Sequence, residues 1–295
     1  MANIKLNNNS YPIPDSKLAS IKADFVAHLG TIAGSGLKVV IGGVEYGIDS
    51  SKVAGAIGAL EDTFVELENG GDIAEEELGV DPVTGEILDS WNYIIASINN
   101  NTYATKYSVG NYKPLDLGTE GIVNMQIAAI DADVMSDGSG NAHITWIAKN
   151  LLATTHAMNS TSTNTDGWAA SEMRTYLSED IWALIPATVQ NSIVPVDKTY
   201  YDYTTSSTLT CSDKLWIPSW REVGLGVDKE NAGAIYDELF NDQHNRIKEL
   251  NGSTLGWGLR SAYTNSRGFC GVSSNGSGRG FDARGGVGVA LSFCM

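Results

Sequence analysis

The chain has 295 residues, of which 42% are hydrophobic and 18% charged, so it can bury one large or two modest cores and is no disordered tail. Its formal net charge of -16 opposes contact with a phosphate backbone, which excludes nucleic acid as a partner. Even the strongly apolar stretch Gly36 to Val44 is too short for a bilayer, and Met1 to Asn9 lacks a signal peptide's apolar run. Membrane insertion is therefore not expected, and a soluble chain made in the cytoplasm is.

From Asp15 to Leu29 the residues Leu18, Ile21, Phe25, Val26 and Leu29 fall at helical spacing, with Asp15 or Ser16 as the N-cap. "LKVVIGGVEYGID" then predicts two short strands around Gly42-Gly43, a dipeptide suited to a tight hairpin turn. A second helix follows over Ser51 to Glu68, with Val53, Ile57, Leu60 and Phe64 on one stripe. Residues 1–71 thus read as a helix, hairpin, helix unit, too small to be very stable alone, which favours an oligomer. The acidic, turn-rich residues 72–89 read as a linker containing a turn at Asp81-Pro82.

Residues 90–295 change to many short elements. "SWNYIIASINN" predicts a helix, and "YSVGNYKPLDLG" and "VNMQIAAIDADV" predict strands. Around Ile144 a further strand alternates Ile144, Trp146 and Ala148 against Thr145, Ile147 and Lys149, and Ser136 to Asn141 makes the hairpin turn before it. "SEMRTYLSEDIWALIPATVQNSIV" is helical up to Pro186, with Met173, Leu177, Ile181 and Leu184 in phase. "VPVDKTYYDY" and "LTCSDKLWIPS" are strand-like, and "IYDELFNDQHNRIKEL" reads as a helix. The last forty residues predict strands at Trp257 to Ser261, Gly268 to Val272 and Gly288 to Phe293, with loops between. The fold class is α+β.

The constellations that carry chemistry are weak. Asp131, Asp133 and Asp137 are hard oxygen donors close together, yet an EF-hand loop needs a donor where Met135 stands and a closing glutamate, so no metal site is assigned. Cys211, Cys270 and Cys294 have neither the number nor the spacing of a zinc site or a disulfide framework; pairing of Cys270 with Cys294 stays open beside the reading of buried thiols. His28, His143, His156 and His244 sit in unrelated contexts, and no nucleophile elbow precedes a helix. Glu172 with Arg174, and Arg221 with Glu222, read as ion pairs rather than site groups. "GSGRGFDARGG" lacks the lysine and following helix of a phosphate loop. Of the tryptophans, Trp216 and Trp257 are expected to face inward and Trp168 to be partly exposed.

Four blocks in order, "ITWIAKNLLATTHAMN", "GWAASEMRTYLSEDIWALIPATVQNSIVPV", "DKLWIPSWREV" and the stretch from Trp257 to Met295, resemble a bacteriophage-associated domain of C-type-lectin-like fold, akin to the formylglycine-generating-enzyme and major-tropism-determinant group. The resemblance covers about Ser90 to Met295. Trp257 is followed by Gly258 where such domains repeat the tryptophan, and the closing strand reads "GVGVALSF", which marks a divergent branch. The block from Tyr11 to Ile57 resembles leaders of phage virion proteins. The resemblance implies a non-enzymatic head or tail fibre protein of the virion. Residues 1–71 would dock on other virion proteins and trimerise, while residues 90–295 recognise a host-surface glycan or protein. It places binding on the loops held by the closing strands, at Tyr263, Asn265, Arg267, Asn275, Arg279, Asp282 and Arg284, positions of a kind that phage relatives diversify by a retroelement. No cofactor is implied. Two alternatives are a capsid decoration protein without receptor and, through Cys270 and Cys294, a formylglycine-generating-like enzyme.

Overall fold

The computed structural model describes residues 78–226, 229 and 233–295, and before them five strands only. The chain divides into two units, Met1–Glu77 and Leu78–Met295.

In the first unit β1 (Asn3–Leu6) pairs antiparallel with β2 (Asn9–Pro12), while β3 (Lys38–Ile41) and β4 (Val44–Gly47) form an antiparallel hairpin. The register sets Ile41 opposite Val44, which leaves two residues between the strands, as the Gly-Gly signal predicts. β5 (Asp72–Ile73) adds parallel to β1. Neither the β1–β2 pair nor β5 was legible in the polar sequence around them. The helices expected at Asp15–Leu29 and Ser51–Glu68 lie outside the described residues.

The second unit begins with residues read from the sequence as linker, and these are packed. Asp81 accepts from the Val83 and Thr84 amides at 2.8 and 3.1 Å, turning the chain so that Val80 bridges Ile87. Ile87 and Asp89 are fully buried, and Asp89 accepts from the Leu78 and Gly79 amides and the Tyr107 hydroxyl.

Helix α1 (Trp91–Asn99) starts where Ser90 accepts from the Tyr93 amide at 3.0 Å and buries Ile94 and Ile95; one short turn, α2 (Tyr103–Lys106), follows. The central sheet is antiparallel: β6 (Tyr112–Asp116), β7 (Ile122–Ile130), β8 (Ile144–Ala148) and β16 (Ser292–Cys294) lie in the order β16-β8-β7-β6. The β7–β8 connection turns where predicted, Asp137 accepting from the Ser139 amide. The alternation read in β8 separates two cores rather than core from solvent. Ile144, Trp146 and Ala148 join the larger apolar cluster, Ile147 joins a second one with Tyr236, Phe240, Trp257 and Leu259, and Thr145 is buried too.

Ser171 caps α3 (Glu172–Tyr176), which runs through a π-turn at Leu177–Ile181 into α4 (Trp182–Leu184). Met173, Leu177 and Ile181 are buried in phase, and the helix ends at Ile185, whose extended backbone (ψ 129°) is what a following proline favours. After α5 (Ala187–Gln190) come the hairpin β9 (Val196–Asp202) and β10 (Ser207–Asp213), and later the hairpin β11 (Lys248–Leu250) and β12 (Ser253–Leu255).

The helix expected around "IYDELFNDQHNRIKEL" is not formed. One turn closes from the Phe240 amide to the Tyr236 carbonyl; Asp242 then accepts from the His244 amide at 2.8 Å, a local bond that competes with helix propagation, and only a 3-10 turn at His244–Arg246 follows. The apolar spacing served burial of Tyr236, Leu239 and Phe240 on a looping chain.

The closing segment forms a meander of β13 (Trp257–Ala262), β14 (Gly268–Val272) and β15 (Gly278–Asp282). β15 falls in sequence read as loop, and the strand expected from Gly288 begins only at Ser292, although Val289 and Leu291 are buried. Glycines hid β15 from propensity because packing demands them. A methyl at Gly271 would collide with the Phe281 ring, and one at Gly278 with Trp220. Trp168, expected to be partly exposed, is fully buried and donates its indole N–H to Asp213 at 2.7 Å.

Candidate ligand-binding face

The β13–β14 loop, residues 263–267, is fixed from outside itself. Asn164 directs its side-chain amide at three carbonyls, of Tyr263 (2.9 Å), Asn265 (2.7 Å) and Gly268 (2.7 Å), and its own amide donates to the Ser266 carbonyl. Within the loop Asn265 accepts from the Arg267 amide at 3.0 Å. A polar, turn-prone segment thereby acquires one backbone path, because its carbonyls are satisfied by a buried side chain.

Beside this loop lies a concavity of about 410 Å³ lined by Tyr263, Asn265, Arg267, Gly280, Phe281 and Asp282. Its floor is glycine: a Cβ at Gly280 would stand 3.0 Å from the Tyr263 ring, so the ring packs on bare backbone. Asp282 accepts from the Ser162 hydroxyl at 2.6 Å and from the Arg284 amide at 3.1 Å, and these bonds pull its carboxyl down to about 2. Arg284 adds its guanidinium to Asp282 at 3.3 Å, and Arg267 donates to Ser162 at 3.4 Å. Arg279 stacks over Phe281, 4.5 Å from the ring centroid.

Of the seven residues singled out in the sequence, Tyr263, Asn265, Arg267 and Asp282 meet in this concavity, and Arg284 and Arg279 flank it. Asn275 stands apart, in the turn at the opposite end of the β14–β15 hairpin, where its side chain accepts from the Ser277 amide at 3.1 Å. All seven are exposed. The exposed side chains of the face include Arg267, Arg279 and Arg284 beside the carboxylate of Asp282, in a chain with 35 acidic and 19 basic side chains. These exposed groups give the face a local excess of positive charge, with Arg284 paired to Asp282. With its aromatic ring, amide and guanidinium groups it suits adhesion to hydrogen-bond acceptors and acidic groups.

Sequence reasoning missed the polar cluster beneath. Glu222 takes both terminal nitrogens of Arg260, at 2.5 and 2.9 Å, and the Lys198 ammonium at 3.1 Å; Lys198 also reaches Asp133 at 2.5 Å, and Tyr236 donates to Asp133 at 2.9 Å. All five are buried. Burial alone would raise the Glu222 carboxyl, but Arg260 and Lys198 hold it well below the usual carboxylate range. Burial would likewise lower the Lys198 ammonium, and Glu222 and Asp133 hold it above its ordinary value. The pairing of Glu222 with Arg221 read from the sequence is replaced by this one, and Arg174 pairs with Asp213 at 2.7 Å rather than with Glu172, which accepts from Ser160. A period-two signal pointed here: Val196, Lys198, Tyr200 and Asp202 are the buried positions of β9, so the lysine sits in the inward phase.

The remaining candidates have structural occupations. Asp131 accepts from Tyr103 at 2.6 Å and meets His143 at 3.2 Å, Asp133 serves Lys198, and Asp137 closes its turn. No group of three metal-ligating side chains occurs among the described residues. The three cysteines are free; Cys270 and Cys294 belong to different apolar clusters, and burial raises the Cys294 thiol well above its ordinary value. His156 stacks on Tyr176 with centroids 4.1 Å apart, His244 pairs with Asp242, and His28 lies outside the described residues.

A family described as Domain of unknown function (DUF6273) matches residues 143–293, which takes in the strand β8, the buried charge cluster apart from Asp133, and the loop face. No curated protein and no solved structure matches the chain.

Proposed function

We propose that this chain, which belongs to the DUF6273 family, is a non-enzymatic bacteriophage virion protein of head or tail fibre type that recognises a host-surface glycan or protein. In this reading residues 1–71 anchor it to other virion proteins as a trimer, and the second unit is a C-type-lectin-like domain. The observation that carries the recognition role is the concavity of Tyr263, Asn265, Arg267, Phe281 and Asp282, an exposed and locally positive loop face whose backbone Asn164 fixes from below. Rigid strands with adaptable exposed loops are how recognition surfaces are built without catalytic groups. The virion setting rests on the resemblance of Tyr11 to Ile57 to phage leaders, and the lectin-like assignment on the four resembling blocks. Both fit an α+β unit whose closing strand β16 returns to the central sheet beside β8.

The test is binding of the purified full chain to intact bacterial cells, beside a variant with Tyr263→Ala, Arg279→Ala and Arg284→Ala. Saturable binding by the parent, lost in a variant that still unfolds at the parent's urea midpoint, supports recognition by this face. Equal binding by both moves the contact elsewhere. A parent that binds no cells favours a decoration protein.

A further inference from the structure

Of the three buried cations among the described residues, Lys198 and Arg260 are paired with carboxylates and Lys248 is not. Lys248, 3% exposed, donates to the Ala148 carbonyl and lies 5.3 Å from the Trp257 ring centroid and 6.0 Å from that of Phe240. An ammonium carries three donors, so two remain without a protein acceptor. Lys248 also lines a concavity of about 450 Å³, together with Gln126, Lys149, Glu238, His244 and Asn245. Burial, and after it the Lys149 charge, pulls Lys248 down to about 7, so a nearby anion would favour its charged form.

We propose that this concavity is a phosphate-binding site in which Lys248 and Lys149 share one oxyanion, and Gln126 and Asn245, whose amide nitrogens already donate to the Gly110 carbonyl at 3.0 Å and the Asn241 side chain at 2.8 Å, each supply their second N–H. The charged groups facing it are these two lysines, Glu238 at the wall, and His244, which is engaged with Asp242 at 2.8 Å. No arginine lines the site, so the flat two-pronged match to a carboxylate is lacking. Two compact ammonium charges suit a tetrahedral anion with several oxygens. Chemically the site is phosphate-specific whether the group comes free or as a phosphorylated polyol. It is independent of the loop face, and neither proposal requires the other.

The experiment is calorimetric titration of the full chain at pH 6.5 and low salt with inorganic phosphate, glycerol phosphate and acetate in turn. Saturable binding of phosphate or glycerol phosphate at one site per chain is expected, with acetate much weaker; which of the two phosphates binds more tightly identifies the source. Lys149→Gln changes an exposed side chain, and is expected to weaken phosphate about five-fold, as the loss of one nearby charge should. Lys248→Met, keeping the apolar stem, should abolish binding. Absence of saturable phosphate binding, an affinity unchanged in Lys149→Gln, or acetate bound as tightly as phosphate would each overturn the site.

Discussion

Arg260 and Arg267 stand on one hairpin and meet opposite surroundings. Arg260, on the buried strand β13, gives its guanidinium to Glu222, the Ile217 carbonyl and the Thr199 carbonyl, and is 1% exposed. Arg267, past the end of that strand, touches Ser162 and solvent. The same side chain is an internal brace in one place and an outward-facing donor in the other. What decides is whether carboxylates and carbonyls converge on it. The two buried lysines repeat the lesson: carboxylates hold Lys198 charged, while Lys248, without one, is pushed toward neutrality.

Glu222→Gln leaves Arg260 and Lys198 with only Asp133 as a carboxylate nearby, and is expected to cost about 3–5 kcal/mol in urea unfolding at pH 7, because an uncompensated buried charge is left behind. A loss below about 1 kcal/mol would show that the cluster is hydrated. For Lys248 the sign is set by its depressed value. Between about 7 and the ordinary 10.5 the unfolded chain binds the proton and the folded chain does not, so stability rises with pH across that window. Below pH 7 the full penalty of charging the buried amine applies. The contribution is on the order of a few kcal/mol, and urea midpoints measured from pH 7 to 9 should climb in the parent and stay nearly level in Lys248→Met.

Smaller effects are expected on the outer face. Asn164→Ala removes the donor shared by three carbonyls, and should cost about 1–3 kcal/mol, with loosening confined to the 263–268 loop in hydrogen exchange. Smallest of all, alanine at Arg267, Arg279 or Arg284 should change stability by no more than about 0.5 kcal/mol each, since these side chains are exposed. A destabilisation as large as that of Asn164→Ala would make them structural and remove the reason to assign them to recognition.

Much of the second unit was legible because its apolar spacing was regular. α1, β7, β8 and the helical run from Glu172 announced themselves through apolar period and, for the last, through Pro186, and the apolar residues Trp257, Leu259, Phe269, Val272, Val289, Leu291 and Phe293 of the closing segment are all buried. The loop residues were legible through composition, as polar positions between those anchors. Where sequence failed, tertiary contacts had replaced local preference. β15 is held by its ladder to β14, and its glycines are required because Trp220 and Tyr263 lie against Gly278 and Gly280, which no propensity records. Residues 236–240 carry helical spacing that Asp242 stops. The buried cluster joins Asp133, Lys198, Glu222 and Arg260 across separate elements, and charge partners so far apart in the chain leave only a trace, the inward phase of Lys198.

Hydroxyl-radical footprinting of the full chain, free and bound to envelope fragments from a bacterial strain that retains it, would read the division between inner brace and outer face in one experiment. Tyr263, 37% exposed and packed over Gly280, should lose most of its oxidation on binding, while the buried Trp257 stays unreactive in both states. Unchanged oxidation of Tyr263 and Phe281, with protection appearing on another surface, would contradict recognition through the terminal loops.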